Sequence, residues 1–116
     1  MSTNDDHRII TLTGQPPVRI QTAAWARIAH AEDWTGTHRR DAAKRWRLEV
    51  LQHDDGRAIV AGEYVTLWEG DRDYEAGELV QAGGDIVAAI RRIAEEIGGD
   101  ARLVQRCIAD LPAVDL

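Results

Sequence analysis

Between Arg45 and Trp68 two runs of alternating apolar and polar residues flank Asp54-Asp55-Gly56, and few backbone arrangements satisfy both runs at once. Trp46, Leu48 and Val50 alternate with Arg45, Arg47 and Glu49, and Ala58–Trp68 returns rich in Val, Ile, Tyr and Trp. This is the pattern of a β-hairpin with one buried face. Turn length decides the register. A two-residue Asp55-Gly56 turn would set Leu48 opposite Glu63 and leave a carboxylate on the apolar face. A three-residue loop, with Gly56 left-handed, instead sets Val50 against Val60, Leu48 against Gly62 and Trp46 against Tyr64. It also pairs Arg47 with Glu63 on the other face. The three-residue loop is therefore expected.

The hairpin fixes how its neighbours read. Ile9–Thr13 alternates with β-favouring residues, Gly14-Gln-Pro-Pro17 breaks the chain, and Val18-Arg-Ile20 reads as a second short extended piece. Residues 1–8 are polar and expected to be disordered, leaving 9–116 as a single domain. Thr22 reads as the N-cap of a helix through Glu32, because Trp25, Ile28 and Ala29 fall at i, i+3, i+4. Residues 33–44 read as a loop with one helical turn at 40–44. Tyr74–Gln81 follows the turn Glu69–Asp73 as a third meander strand. Asp85 then caps a helix bearing Ile86, Ile90, Ile93 and Ile97, and Gly98-Gly99 stops it. Asp100 caps a last helix with Leu103, Val104, Cys107, Ile108 and Leu111 on one face. The expected fold is α+β, in the order β-α-β-β-β-α-α, with an antiparallel meander sheet and helices packed on one face.

Composition removes several classes of function. The chain has 116 residues, one cysteine and a formal charge of −6. One cysteine excludes an internal disulfide framework and any multi-cysteine metal site. No run approaches a membrane span, and the polar N-terminus does not read as a signal peptide, so a cytoplasmic protein is expected. The four histidines form no H-x-x-x-H or H-E-x-x-H pair, and neither a phosphate loop nor a nucleophile elbow is present. Cys107 falls on an apolar helix stripe and reads as a structural thiol. No cofactor or metal is expected.

Charge is segregated along the chain. Residues 38–48 hold Arg39, Arg40, Lys44, Arg45 and Arg47 against Asp41, a local net of +4, whereas residues 49–78 carry a local net of −7. The basic run reads either as a phosphate-contacting patch with Trp34 and Trp46 as stacking surfaces, or as a solvated loop paired with acidic neighbours. Overall acidity opposes nucleic acid as the main partner. The acidic segment Glu69, Asp71, Asp73, Glu75 and Glu78, with Trp68 and Tyr74 beside it, reads either as a charged edge or as a docking surface for a basic protein partner. With no catalytic signature, the leading expectation is a non-catalytic protein-binding module. Nucleic-acid binding through residues 39–47 is the alternative, and a small enzyme with a site assembled only in three dimensions is the third.

Two resemblances bear on this. The expected order α-β-β-β-α over residues 22–97 is similar to that of double-stranded-RNA-binding domains. Their lysine-rich helix N-terminus is replaced here by Asp85-Ile-Val-Ala-Ala-Ile90. Arg45–Tyr64 (RWRLEVLQHDDGRAIVAGEY) and Cys107–Leu116 (CIADLPAVDL) resemble segments of small accessory proteins carried on plasmids, phages and integrative elements of bacteria. That resemblance implies no catalytic residues. It implies a cargo role, of the anti-CRISPR or antirestriction kind, in which a small acidic protein inhibits a host defence nucleoprotein complex by occupying its surface.

Overall fold

The computed structural model describes residues 6–35 and 43–113. Two strands, β1 (His7–Ile10) and β2 (Val18–Gln21), pair antiparallel as a separate ribbon. Four further strands, β3 (Trp25–Trp34), β4 (Lys44–His53), β5 (Ala58–Thr66) and β6 (Tyr74–Val80), form an antiparallel meander in the order β3-β4-β5-β6. Helices α1 (Ile86–Ile97) and α2 (Ala101–Ala109) pack on one face of that sheet. The fold is α+β, as expected, and the expected helices stand where Asp85 and Asp100 cap them. Each aspartate accepts the backbone N–H three residues on, at 3.0 Å.

The β4–β5 hairpin has the expected register. Val50 faces Val60, Leu48 faces Gly62, Trp46 faces Tyr64 and Arg47 faces Glu63. Gly56 has φ +96°, a left-handed conformation that closes the three-residue loop and that a side chain would strain. Leu48, Val50, Val60, Ile90 and Ile93 lie together in the main core, with Trp46, Tyr64 and Ile86 packed at its margin.

One element is corrected. Residues 25–34 form a strand, and only Thr22–Ala24 makes a helical turn, of the 3-10 type. A bulge explains the misleading periodicity. The β3–β4 register shifts between Arg27 and Ala29, so Ile28 is the extra residue. Before the bulge Trp25 joins the core on the far face of the sheet; Ile28 at the bulge and Ala29 and Ala31 after it join the helix-side core. Apolar residues at i, i+3, i+4 thus divide between two faces of a strand. With that helix gone, the order shared with double-stranded-RNA-binding domains does not hold. The first strand also begins at His7, two residues before the expected start, so His7 and Arg8 belong to the ordered ribbon. The expected helical turn at 40–44 falls largely outside the described residues, and its last residue, Lys44, opens β4.

The ribbon covers half of the sheet's far face, where Ile10, Leu12 and Ile20 meet Leu51 and Ile59 in a second core. Both sheet edges are engaged. On β3, the His30 N–H donates to Asp110 at 2.8 Å and Arg106 donates to the Glu32 carbonyl, both partners lying at or just beyond α2. On β6, the Thr13 N–H donates to the Gly77 carbonyl at 2.8 Å, and the Gly77 N–H donates to the Thr13 hydroxyl at 3.3 Å. These contacts occupy edge groups that would otherwise pair with another chain.

Candidate functional site

The β5–β6 connection is built by its own polar residues. The Leu67 N–H donates to the Ala43 carbonyl at 2.8 Å, and the Trp68 N–H donates to the Thr66 hydroxyl at 3.1 Å. Asp73 accepts the Thr66 N–H at 3.0 Å, while Asp71 accepts the Arg72 N–H and the Tyr64 hydroxyl. The Tyr64 hydrogen bond, with the Arg72 N–H, the Thr66 hydroxyl and the charge of Lys44, holds the Asp71 carboxyl below its usual range. Lys44 stands 3.9 Å from Asp71 and 5.8 Å from the Trp68 ring centroid. The loop is therefore pinned at both ends.

What this pinned loop presents is apolar. Leu67 is 79% exposed, Trp68 61% and Tyr74 46%. Single exposed apolar residues are ordinary, but these three stand at one end of one hairpin. Trp68 and Tyr74 belong to the expected docking segment. Leu67 joins them from outside that segment, and its place directly before Trp68 at the end of an alternating strand is the sequence signal for it.

The expected acidic surface is divided. Glu69 is exposed at the loop. Asp71 and Asp73 are occupied in shaping the loop. Along β6 successive residues alternate between faces. Glu78 meets Arg92 of α1 on the helix side, with Nε–Oε1 at 2.9 Å, and that hydrogen bond holds its carboxyl below the usual range. Glu75 faces the other way and accepts the Thr11 hydroxyl at 2.7 Å. Of the five carboxylates, only Glu69, Asp71 and Asp73 flank the exposed apolar residues.

The basic run is also divided. Arg39 and Arg40 lie outside the described residues. Lys44 serves the β5–β6 loop. Arg45 and Arg47 point to the uncovered half of the sheet's far face, where both approach Glu63, at 4.0 and 3.2 Å. Beside them a cleft of about 210 Å³ is lined by Arg8, Arg47, Glu49, Glu63 and Glu75 among others. Glu49, only 5% exposed, pairs with Arg8 and lies 3.9 Å from Arg27. Burial pushes its carboxyl up, but the Arg8 hydrogen bond and the charges of Arg8, Arg47 and Arg27 outweigh burial and hold it low. In this cleft Glu49 and Glu63 are each paired with arginines, and Glu75 accepts the Thr11 hydroxyl. Glu49 is thereby stabilised as an anion, the opposite of the raised pKa that a general acid near neutral pH needs.

Cys107 is buried, and burial, aided by Asp110, pushes its thiol up to about 11. Nucleophilic chemistry needs the thiolate, which this environment disfavours. Among the described residues no group of three or more His, Cys, Asp or Glu is placed to hold a metal ion. No helix there is long and apolar enough to cross a membrane. No known protein family, curated protein or solved structure matches the chain.

Proposed function

We propose that this α+β domain is a non-catalytic protein-binding module that docks through the β5–β6 end of its sheet. The carrying observation is the exposure of Leu67, Trp68 and Tyr74 around a loop that hydrogen bonds already hold in shape. A pre-ordered loop loses little conformational entropy on binding, and a Trp with neighbouring apolar side chains is the usual kind of energetic anchor. Glu69, Asp71 and Asp73 form an acidic fringe that suits a basic partner surface and speeds encounter with it. A partner of that kind matches the cargo role implied by the sequence resemblance: a host nucleoprotein complex whose basic surface the module occupies.

Affinity capture from the native host lysate tests this with three versions of the chain. The parent retains a partner. Leu67→Ser with Trp68→Ala loses it without lowering the urea midpoint, because both side chains are exposed. Glu69→Lys keeps the partner but slows its association, since Glu69 is exposed and has no structural hydrogen bond among the described residues. Charge reversal at Asp71 or Asp73 is a poorer probe, because it removes bonds that shape the loop. An identical set of captured proteins for parent and double variant contradicts the proposal.

A further inference from the structure

Between the β1–β2 ribbon and the sheet lies a second cleft, of about 340 Å³. Leu12, Val18, Ile20, Ile59 and Leu79 supply apolar walls, and the Trp25 ring flanks them. That volume falls within the roughly 300–1,000 Å³ of small-molecule sites, which combine apolar walls with a few polar groups. The polar groups here are biased in sign. Arg19 from the ribbon and Arg57 from the sheet line the cleft with Gln21 and His53; no described carboxylate lines it, and Asp55, which pairs with Arg57 and His53, stands beside its rim. The sheet side of the rim is ordered. Trp25 packs edge-on against His53 at 5.1 Å between centroids, and Arg57 lies 5.4 Å over the Trp25 ring. Arg57 Nε bonds Asp55 at 2.7 Å, leaving its two terminal nitrogens for another acceptor. Arg19 makes no ion pair among the described residues.

We infer that this cleft binds a small amphipathic monocarboxylate. The hydrocarbon part lies against the partly buried Val18, Trp25 and Leu79, and the carboxylate meets the guanidinium groups of Arg19 and Arg57, which hydrogen-bond carboxylates strongly. The apolar walls alone would accept an alcohol or an amine of the same length; the two arginines select the anion. This reading is independent of the docking surface, which lies on a different loop.

Methyl-resolved NMR titration of the full chain with octanoate, octan-1-ol and octylamine tests it. Octanoate shifts the Val18 and Leu79 methyl signals and binds at least tenfold more tightly than octan-1-ol, and octylamine binds more weakly than either. Arg19→Gln with Arg57→Gln brings octanoate down to the affinity of octan-1-ol, and Arg19→Gln alone, at an exposed strand position, weakens octanoate at least threefold. Val18→Trp fills the cleft and abolishes binding of all three. The inference is overturned if octanoate leaves those methyls unmoved, if octylamine binds as tightly, or if both arginine variants keep the parent's affinity for octanoate.

Discussion

Glu49 sits almost fully buried on a strand where the neighbouring positions Leu48 and Val50 are core, and its partner Arg8 comes from the separate ribbon. The pair thus ties ribbon to sheet. With its carboxyl held low in the native state, Glu49 binds fewer protons folded than unfolded between that value and the unfolded value near 4.3. Its contribution to stability is therefore present above that window and lost as pH falls through the native pKa. Glu49→Gln should cost about 1–3 kcal/mol at neutral pH, as when a buried charged partner is left unsatisfied. It should also flatten the acid limb of stability, which urea titrations between about pH 2 and 7 will measure; an acid limb as steep as the parent's would contradict the pairing. Ile90 belongs to the opposite core and is fully buried. Ile90→Ala should cost about 2–5 kcal/mol, the range for large-to-small core changes. Parent-like stability in urea would misplace the helix face. Cys107 should resist a thiol reagent in the native protein at neutral pH and react at the rate of global unfolding, since burial suppresses its thiolate.

Elements whose geometry is local were legible in the sequence, down to single residue pairs. The β4–β5 register follows from one turn and one binary pattern, because slipping by a residue would move Glu63 into the core. The two helices follow from Asp85, Gly98 and Asp100. Strand β3 was not legible as a strand, because a bulge at Ile28 shifts the face on which its apolar residues emerge. Nothing local marks a bulge there; it depends on both faces of the strand meeting apolar layers. The ribbon's seat on the far face was likewise hidden, since contacts such as Arg8–Glu49 join residues distant in sequence. The same limit applies to the site. Alternation along β6 separates Glu75 from Glu78, and the outer hydrogen bonds of both are made by residues far along the chain, Thr11 and Arg92. At Gly77 the approach is so close that an added Cβ would lie 2.1 Å from the Thr11 carbonyl oxygen. Gly77→Ala should therefore displace residues 11–13 from β6 at a cost of about 1–3 kcal/mol, as overpacking does. Hydrogen exchange at the Thr13 amide reports it directly. Unchanged protection there would show that the close approach is dispensable.

At the scale of the whole molecule, the described residues form a layer of helices, a four-stranded sheet and a two-stranded ribbon. Both sheet edges are engaged, and the uncovered half of the far face holds arginines matched by carboxylates. With a net charge of −6, the protein should not bind duplex DNA or RNA measurably at ~150 mM salt, because neutralising phosphates needs unpaired cationic charge. Submicromolar binding abolished by Arg39→Ala with Arg40→Ala would contradict this. Among the described residues, the β5–β6 end groups three exposed large apolar side chains, Leu67, Trp68 and Tyr74, at the end of an ordered hairpin. Ile9, 59% exposed on the ribbon, is its natural control, being comparably accessible but solitary. The most direct test places a photo-crosslinking amino acid at position 68 in one version and at position 9 in another, and irradiates each in the native host. Protein docking through the β5–β6 end predicts a discrete protein adduct from position 68 that position 9 does not give. The same adducts from both positions, or none from position 68, would contradict it.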